Sequence, residues 1–392
     1  MNRGKSSSAE INDFTITVID SLVSAEIVWR DFETAPNHYV FQTYDWLSLW
    51  HKHIGVHERV RPYVVLIARR DHDPSILLPL AIEKKSGIKR LVWLGGKESD
   101  YHGPLLAKEY AAQFDGEAFP EIWAEVLRLL PPVDVVFLER QPATIGDQKN
   151  PFMALECIPY LDDAHLTRLE GSWETYYQSK RSRKTRKRLR NYEHGLSKHG
   201  ELNYRVLDVA DEIRPIAAEL FARKSRRHRE TGVPDLFDDV GREEFFTSAV
   251  LETPLRDKVK IAALTVGSDI AAATLFVVYN SRIYDILPVY DTEKFGKYSV
   301  GTIFLMMNIQ WCFENNISIY DFTIGDDQYK EQWCEETTHL FHHMMPRTIK
   351  GRCLVSFRKL RNQLRKVAWL KSGLRTARSL VSRARRQPST RS

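Results

Sequence analysis

The sequence predicts a mixed α/β fold in two tandem lobes, followed by a basic C-terminal helix. Three observations predict it. Short apolar or alternating runs with the two-residue period of strands recur between stretches of helical periodicity along most of the 392 residues. The order of elements in the second half is a longer version of the order in the first, without a residue-level repeat. Charge is segregated as well: residues 351–392 hold three Lys and ten Arg and no acid, so this tail carries +13 and the remaining 350 residues −7. The expected divisions are a disordered N-terminus at 1–12, a first lobe at 13–150, a second at 151–350 and the basic tail at 351–392.

Each element has its own signal. In the first lobe, strands are expected at 14–18, 61–69, 76–84, 88–94 and 133–139. Helices are expected at 21–31 and 117–130, with a short one carrying Trp46 and Trp50 on one face. A strand near 157–161 leads into the second lobe. There, one strongly basic helix is expected over 173–198, a strand at 202–207, and helices at 210–230 and 241–252. A hairpin follows at 257–265 and 270–278, turning at Gly267-Ser268. A strand at 281–290, an apolar helix at 299–315 and strands at 317–323 and 338–345 complete the lobe. A meander followed by one buried helix and a strand favours mixed sheets over a doubly wound parallel one.

Composition excludes several classes. The chain is 43% apolar and 28% charged, which is not the balance of a disordered protein. No apolar run reaches the roughly 20 residues of a membrane span, and the N-terminal stretch MNRGKSSSAE lacks the apolar core of an export signal. The four cysteines form no CxxC pair, and the clustered His51, His53 and His57 lack a partner at ligand spacing, so no metal is expected. The expected location is the cytoplasm.

The densest chemistry lies between Tyr290 and Lys330. Tyr298-Ser299-Val300-Gly301-Thr302 opens a long apolar helix, and a helix N-terminus with a glycine in its first turn suits a phosphate group. The same pattern also occurs as an ordinary helix start. Further on, a strand ends as Tyr320-Asp321-Phe322-Thr323-Ile324-Gly325-Asp326, placing polar groups at its carboxyl end, where α/β sites form.

These residues resemble the GNAT-fold acyltransferases of the cellulose-biosynthesis type, which are two-lobed and share their architecture with the Fem-type peptidyl transferases. The resemblance rests on Trp173 and Tyr176 ahead of the basic run 180–187, on Tyr298-Ser299-Val300-Gly301, on Asp321-Phe322-Thr323 with Gly325 and Tyr329-Lys330, and more weakly on Phe41 and Trp46. It spans roughly 15–345 and implies two GNAT-like lobes. The spaced glycines of simple GNAT donor sites are reduced here to Gly301.

The resemblance implies direct attack of an acceptor amine or hydroxyl on a thioester, with acetyl-CoA or another acyl-CoA as co-substrate. The splayed strand of such a site would be 281–290. Pro288 lacks an N–H and interrupts pairing there, through a bulge or at a sheet edge. The donor would then lie along Leu287, Val289, Tyr290, Tyr298, Ser299, Val300, Gly301 and Thr302. Asp321 is the first candidate for a base and Asp326 the second; a locally paired carboxylate is the alternative for Asp321. Tyr329 is the candidate thiolate acid, and Lys330 would bind a phosphate or acidic acceptor. Asp100 and Tyr101, with His102, would line the cleft between lobes.

Lys180 to Arg190 contains eight basic residues in eleven, more than its neighbouring acids can pair. Lys180, Arg183, Lys184 and Lys187, joined by Lys224 of a second basic cluster, are therefore expected to bind an anionic acceptor. The acceptor is read as a sugar or polysaccharide precursor. Two further readings stand beside this one: a non-catalytic binding protein of an envelope assembly, and a Fem-type transferase using aminoacyl-tRNA, the one case that brings in nucleic acid. In the tail, Phe357, Leu360, Leu364, Val367, Leu370, Leu374, Ala377 and Val381 form one apolar stripe opposite a basic face. Such a helix either docks on the acidic body or lies on an anionic membrane surface at the inner face.

Overall fold

The computed structural model describes residues 6–360 apart from 12, 35–37, 109, 111–117, 253, 326–329 and 359. In the first sheet, β1 (Ser6–Ile11), β2 (Phe14–Ile19), β3 (Arg61–Arg69), β4 (Pro74–Lys85) and β5 (Ile88–Trp93) pair antiparallel in sequence order, and β6 (Leu105–Leu106) adds to β4. β7 (Val135–Pro142) runs parallel to β5, paired at Arg90↔Val135 and Leu91↔Val136, and the two strands then diverge. β8 (Thr144–Ile145) and β9 (Gln148–Lys149) form a separate hairpin.

Helices α1 (Leu22–Glu33), α2 (Tyr44–Trp50) and α3 (Phe119–Leu129) belong to this lobe. On α1, Leu22, Ala25, Trp29 and Phe32 recur at three- and four-residue spacing and are buried. Ser21 caps the helix by accepting from the Ser24 amide at 3.3 Å. Trp46 and Trp50 both lie on the buried face of α2, as their spacing predicts. Their indole N–H groups donate to Ser99 Oγ at 3.1 Å and Glu98 Oε2 at 2.7 Å.

Between the lobes run β10 (Ile158–Pro159) and β11 (Ala164–Arg168). The second sheet is built from β12 (Leu202–Leu207), β13 (Val259–Val266), β14 (Asp269–Tyr279), β15 (Arg282–Asp285) and β17 (Ile319–Ile324), with the two-residue β16 (Val289–Tyr290) on β14. Its one parallel pair is β15 with β17, from Arg282↔Ile319 to Tyr284↔Asp321. The helices are α4 (Trp173–Lys180), α5 (Arg183–Ser197), α6 (Ala210–Thr231), α7 (Arg242–Leu251), the single turn α8 (Thr292–Phe295) and the apolar α9 (Val300–Glu314). α6 ends on Gly232, whose φ of 69° is the left-handed conformation that closes helices.

The two sheets exchange strands. β11 inserts into the second sheet between β17 and β18 (Glu336–Thr338), whereas β19 (Leu340–Pro346) returns to the first sheet and lies between β7 and β10. Where the chain crosses, the Tyr160 amide donates to Leu340 O at 2.8 Å, and Asp163 meets His339 at 2.8 Å. The expected boundary at 150/151 therefore does not divide the sheets cleanly. Residues 349–358 continue as a helix against the first lobe, where Leu354 and Val355 pack with Phe137 and Met344.

Three expectations need correction. Residues 6–11 are not disordered but form an edge strand, paired with β2 from Ser6↔Ile19 to Ile11↔Phe14. Backbone pairing holds it while its polar side chains face water, so composition does not reveal it. The basic stretch 173–198 is two helices, not one. Arg181 is extended, its guanidinium lying 3.8 Å from the centre of the Trp333 ring, and Ser182 restarts the helix by accepting from the Thr185 amide at 3.2 Å. Residues 281–290 are likewise broken. After Asp285, the amides of Ile286 and Leu287 both donate to Leu275 O at 3.1 Å, a bulge that carries the chain past Pro288 before pairing resumes at Val289.

Candidate active site

The site is built where β15 and β17 part. The last residue of β15, Asp285, is 6% exposed. Its carboxylate accepts from Thr274 Oγ1 at 2.5 Å and from the Tyr320 hydroxyl at 2.9 Å. Burial raises its pKa, and the positive charges of Lys330 and Lys224 act against that rise. Lys330 is itself buried, with Nζ 3.3 Å from Thr323 O and 3.1 Å from Ile324 O. Thr323 adopts a φ of 55°, a strained conformation for a β-branched residue, and such strain concentrates at functional sites. This bend lets the Thr323 hydroxyl reach Asp285 O at 3.3 Å and its amide reach Asp321 Oδ1 at 2.8 Å.

Asp321 has a different situation. It is fully buried and paired with Arg282, whose Nε and terminal nitrogen lie 2.9 and 2.5 Å from Oδ2. Oδ1 accepts from the Tyr101 hydroxyl of the first lobe at 3.0 Å. Arg282 in turn sits over the rings of Tyr39, Tyr101 and Tyr284, at 5.3, 5.6 and 5.1 Å. Asp321 thus accepts four hydrogen bonds and carries a tie between the lobes. Asp326 and Tyr329, the other two candidates for proton transfer, lie outside the described residues.

Beyond the bulge, a cavity of about 350 Å³ lies between the second half of α6 and residues 288–293. Lys224, Arg226 and Arg227 line one side, Val289 and Tyr290 the other. This brings together one of the expected acceptor residues, Lys224, and two of the expected donor residues. The remaining donor residues apart from Leu287 lie around the start of α9. Ser299 does not cap that helix through its side chain; it takes a left-handed φ of 53°, and its carbonyl accepts from the amides of Thr302 and Ile303. Val300 is buried, and Tyr298 packs on Gly195 of α5 and meets His199 Nε2 at 2.9 Å. Gly301 faces the Tyr290 ring, 3.3 Å from where a Cβ would stand. Leu287 is buried in the core.

Other expected residues do not converge on this cavity. Lys180 donates to Trp333 O at 2.7 Å and pairs with Glu335. Arg183, Lys184 and Lys187 are exposed on α5 and do not line the cavity. Asp100 lies near Arg140, at 3.8 Å, and burial raises its pKa; His102 is buried against Gly96 O at 3.1 Å, and desolvation pushes its pKa down to about 3. Asp285 was missed by sequence reasoning. The one signal that could have found it is its place just before Pro288, at the end of the strand expected to splay.

Residues 183–331 match the acetyltransferase (GNAT) domain family. That stretch runs from α5 through the parting strands to residue 331, so the cavity and Asp285 fall inside the matched stretch, a match that supports acyl transfer in general. Among solved structures the chain is similar to that of FemX, at 10% identity and a TM-score of 0.55, covering 90% of this chain and 99% of that one. It is also similar to a conserved protein of unknown function from Bacteroides thetaiotaomicron VPI-5482, at 12% identity and a TM-score of 0.50, covering 83% and 96%. At these identities the likeness is one of fold. Sequence comparison with curated proteins gave no match. Among the described residues, no group of three His, Cys, Asp or Glu is placed to hold a metal ion. No described helix is long and apolar enough to cross a membrane.

Proposed function

We propose that the second lobe transfers an acyl group from acyl-CoA to an amine or hydroxyl of an anionic acceptor, a sugar or polysaccharide precursor, by direct attack in a ternary complex. The observation that carries this reading is the opening of β15 from β17 at a buried carboxylate, beside a cavity whose lining sets Arg223, Lys224, Arg226 and Arg227 against Glu230, Asp291 and Glu293. The residues present fit the donor: the α9 N-terminus and the α6 cations suit a pyrophosphate, and Tyr290 and Val289 offer an apolar wall. When bound, the thioester supplies the electrophilic acyl carbon and the leaving thiolate. Asp285, its pKa raised by burial, takes the proton of the attacking group, and Thr274 and Tyr320 hold its carboxylate in place.

A second reading, an aminoacyl-tRNA donor, is favoured by one observation. Arg183, Lys184, Lys187, Arg188 and Arg190 are all exposed on α5 and make no ion pair among the described residues. Thermal shift with acetyl-CoA and with aminoacyl-tRNA separates the two. A ligand at 100 times its Kd adds about 2.7 kcal/mol to the native state. A rise in melting temperature with acetyl-CoA, together with thiol release in the presence of an amino-sugar phosphate, supports the first reading. A rise with aminoacyl-tRNA alone supports the second, and no rise with either leaves a non-catalytic binding protein.

We place the protein in the cytoplasm, with its basic tail at an anionic inner membrane face. Phe357 and Leu360, the first two residues of the apolar stripe, are 63% and 55% exposed, whereas Val355 is buried. The rest of the stripe lies outside the described residues. Co-sedimentation with anionic vesicles at low salt, lost on truncation after Leu360, is the test.

A further inference from the structure

The helix at 349–358 presents two different faces. Gly351, Leu354, Val355 and Arg358 turn toward the first lobe. Leu354 and Val355 pack with Phe137 and Met344, on the sheet face opposite Val136 and Leu138 of the main core. Arg358 lies 4.2 Å from the centre of the Phe137 ring and 3.3 Å from Glu139. At the helix start, Thr348 Oγ1 accepts from the Gly351 amide at 3.3 Å and donates to Asp134 Oδ1 at 2.7 Å. A Cβ on Gly351 would stand 1.9 Å from Asp134 O, so the backbone itself rests on the lobe there. The helix is thus fixed to the first sheet along its length.

The other face is apolar as well. Ile349, Cys353, Phe357 and Leu360 follow one another at four-, four- and three-residue spacing, which is one stripe on a helix. All four are exposed, Ile349 by 78%. At about 100° per residue the stripe is centred roughly 150° from the docked face, so the fold leaves it turned outward. In sequence the same spacing continues to Leu364 and Val367. Lys350 flanks the stripe on one side and Arg352 on the other, both exposed. From residue 347 to the end the chain has no Asp or Glu. Two copies meeting through this stripe would bring like charges together, whereas an anionic surface complements them.

We propose that the folded first lobe itself meets an anionic lipid bilayer, through the stripe of Ile349, Cys353, Phe357 and Leu360, with Lys350 and Arg352 reaching lipid phosphates at its edges. The inference rests on the membrane placement of the tail proposed above and adds an orientation to it. The helix lies flat between the first sheet and the bilayer, its apolar stripe in the headgroup boundary and its basic side chains extended toward the interface. The body is then held in one pose, not tethered by a free tail.

Vesicles of phosphatidylglycerol and phosphatidylcholine at low salt test it with the full chain. An environment-sensitive fluorophore on Cys353, in the Cys157→Ser, Cys334→Ser background, is expected to shift its emission to the blue when vesicles are added. Ile349→Ser with Lys350→Gln, both ahead of the tail, is expected to weaken vesicle affinity at least ~5-fold, about the factor that one basic residue near an anionic surface contributes. Both side chains are exposed, so the melting temperature is expected to hold. Lys187→Gln, which removes the same charge from α5 of the second lobe, is expected to change the affinity less than ~2-fold. Vesicle binding with no shift at Cys353, or with unchanged affinity in the double variant, would leave the tail at the membrane and overturn the orientation. No binding by the wild-type chain would overturn both. A dimer in sedimentation equilibrium that Phe357→Ser dissolves, with vesicle affinity unchanged, would assign the stripe to a second copy and overturn the proposal.

Discussion

Replacing Asp321 by Asn separates a structural carboxylate from a catalytic one. The wild-type carboxylate is fully buried and accepts from Arg282 twice, from Tyr101 and from the Thr323 amide. In Asp321→Asn, one oxygen is retained and can keep the bonds to Tyr101 and Thr323. The other becomes an NH₂ that faces two Arg282 donors. Arg282 is then a buried cation without a counter-charge, and breaking a buried pair from one side costs about 3–5 kcal/mol. For a lobe of about 200 residues, at ~2 °C per kcal/mol, the melting temperature falls by roughly 6–10 °C. Arg282→Met in the same background removes the orphaned charge and places a thioether among Tyr39, Tyr101 and Tyr284. The double variant should therefore recover most of the loss, giving a coupling energy of about 2–3 kcal/mol in a double-mutant cycle. Calorimetric unfolding of the four proteins is the assay. An unchanged melting temperature in Asp321→Asn, or additive losses in the double variant, would refute the keystone role and return Asp321 to candidacy as the base.

Asp285→Asn is expected to behave in the opposite way: turnover falls by ~100-fold or more, the scale of lost general-base work. Melting temperature holds or rises, since burial already disfavours the charged carboxylate; retained turnover would move the base to Asp326. Stability is expected to fall between pH 7 and pH 5. Desolvation lowers the pKa of His342 to about 4 and of His102 to about 3, below the unfolded value of about 6.5, so the unfolded chain binds protons first as pH drops. Each histidine contributes about 2 kcal/mol to that loss at ~1.4 kcal/mol per pH unit, and His342→Leu should flatten the slope of urea-derived stability against pH; stability that rises toward pH 5 would contradict it. Gly351→Ala places a Cβ 1.9 Å from the carbonyl oxygen of Asp134 and should cost about 1–3 kcal/mol, visible as faster proteolysis after residue 348.

Much of the scaffold was legible because its signals are local. The 270–278 run is a continuous apolar strand joined to its hairpin partner through Gly267-Ser268, and Gly232 stops α6, so both needed only the residues in sequence around them. The break at Arg181 was hidden because it depends on Trp333, some 150 residues away, whose ring holds the guanidinium. The role of Asp321 was hidden for the same reason. Strand alternation turns Asp321 away from Tyr320, but nothing local shows that Arg282 and Tyr101 meet it there. Asp285 carries no motif; it becomes notable only when Thr274, Tyr320 and Thr323 are brought around it. The basic run was conspicuous in sequence, yet its two ends have different fates: Lys180 and Arg181 are consumed inside the fold, while Arg183 to Arg190 remain on its surface, with Leu189 turned inward.

The exchanged strands set the order in which a growing chain can finish its parts. When residue 150 leaves the ribosome, the first sheet still has an open edge at β7, because its neighbour is written some 190 residues later. That edge must stay soluble through the synthesis of the entire second lobe. Neither half can be expressed alone with its sheet complete, and a nick between the lobes would leave two fragments already laced together. Closure of the first sheet is thus among the last folding events, and it reports that the second lobe has been made.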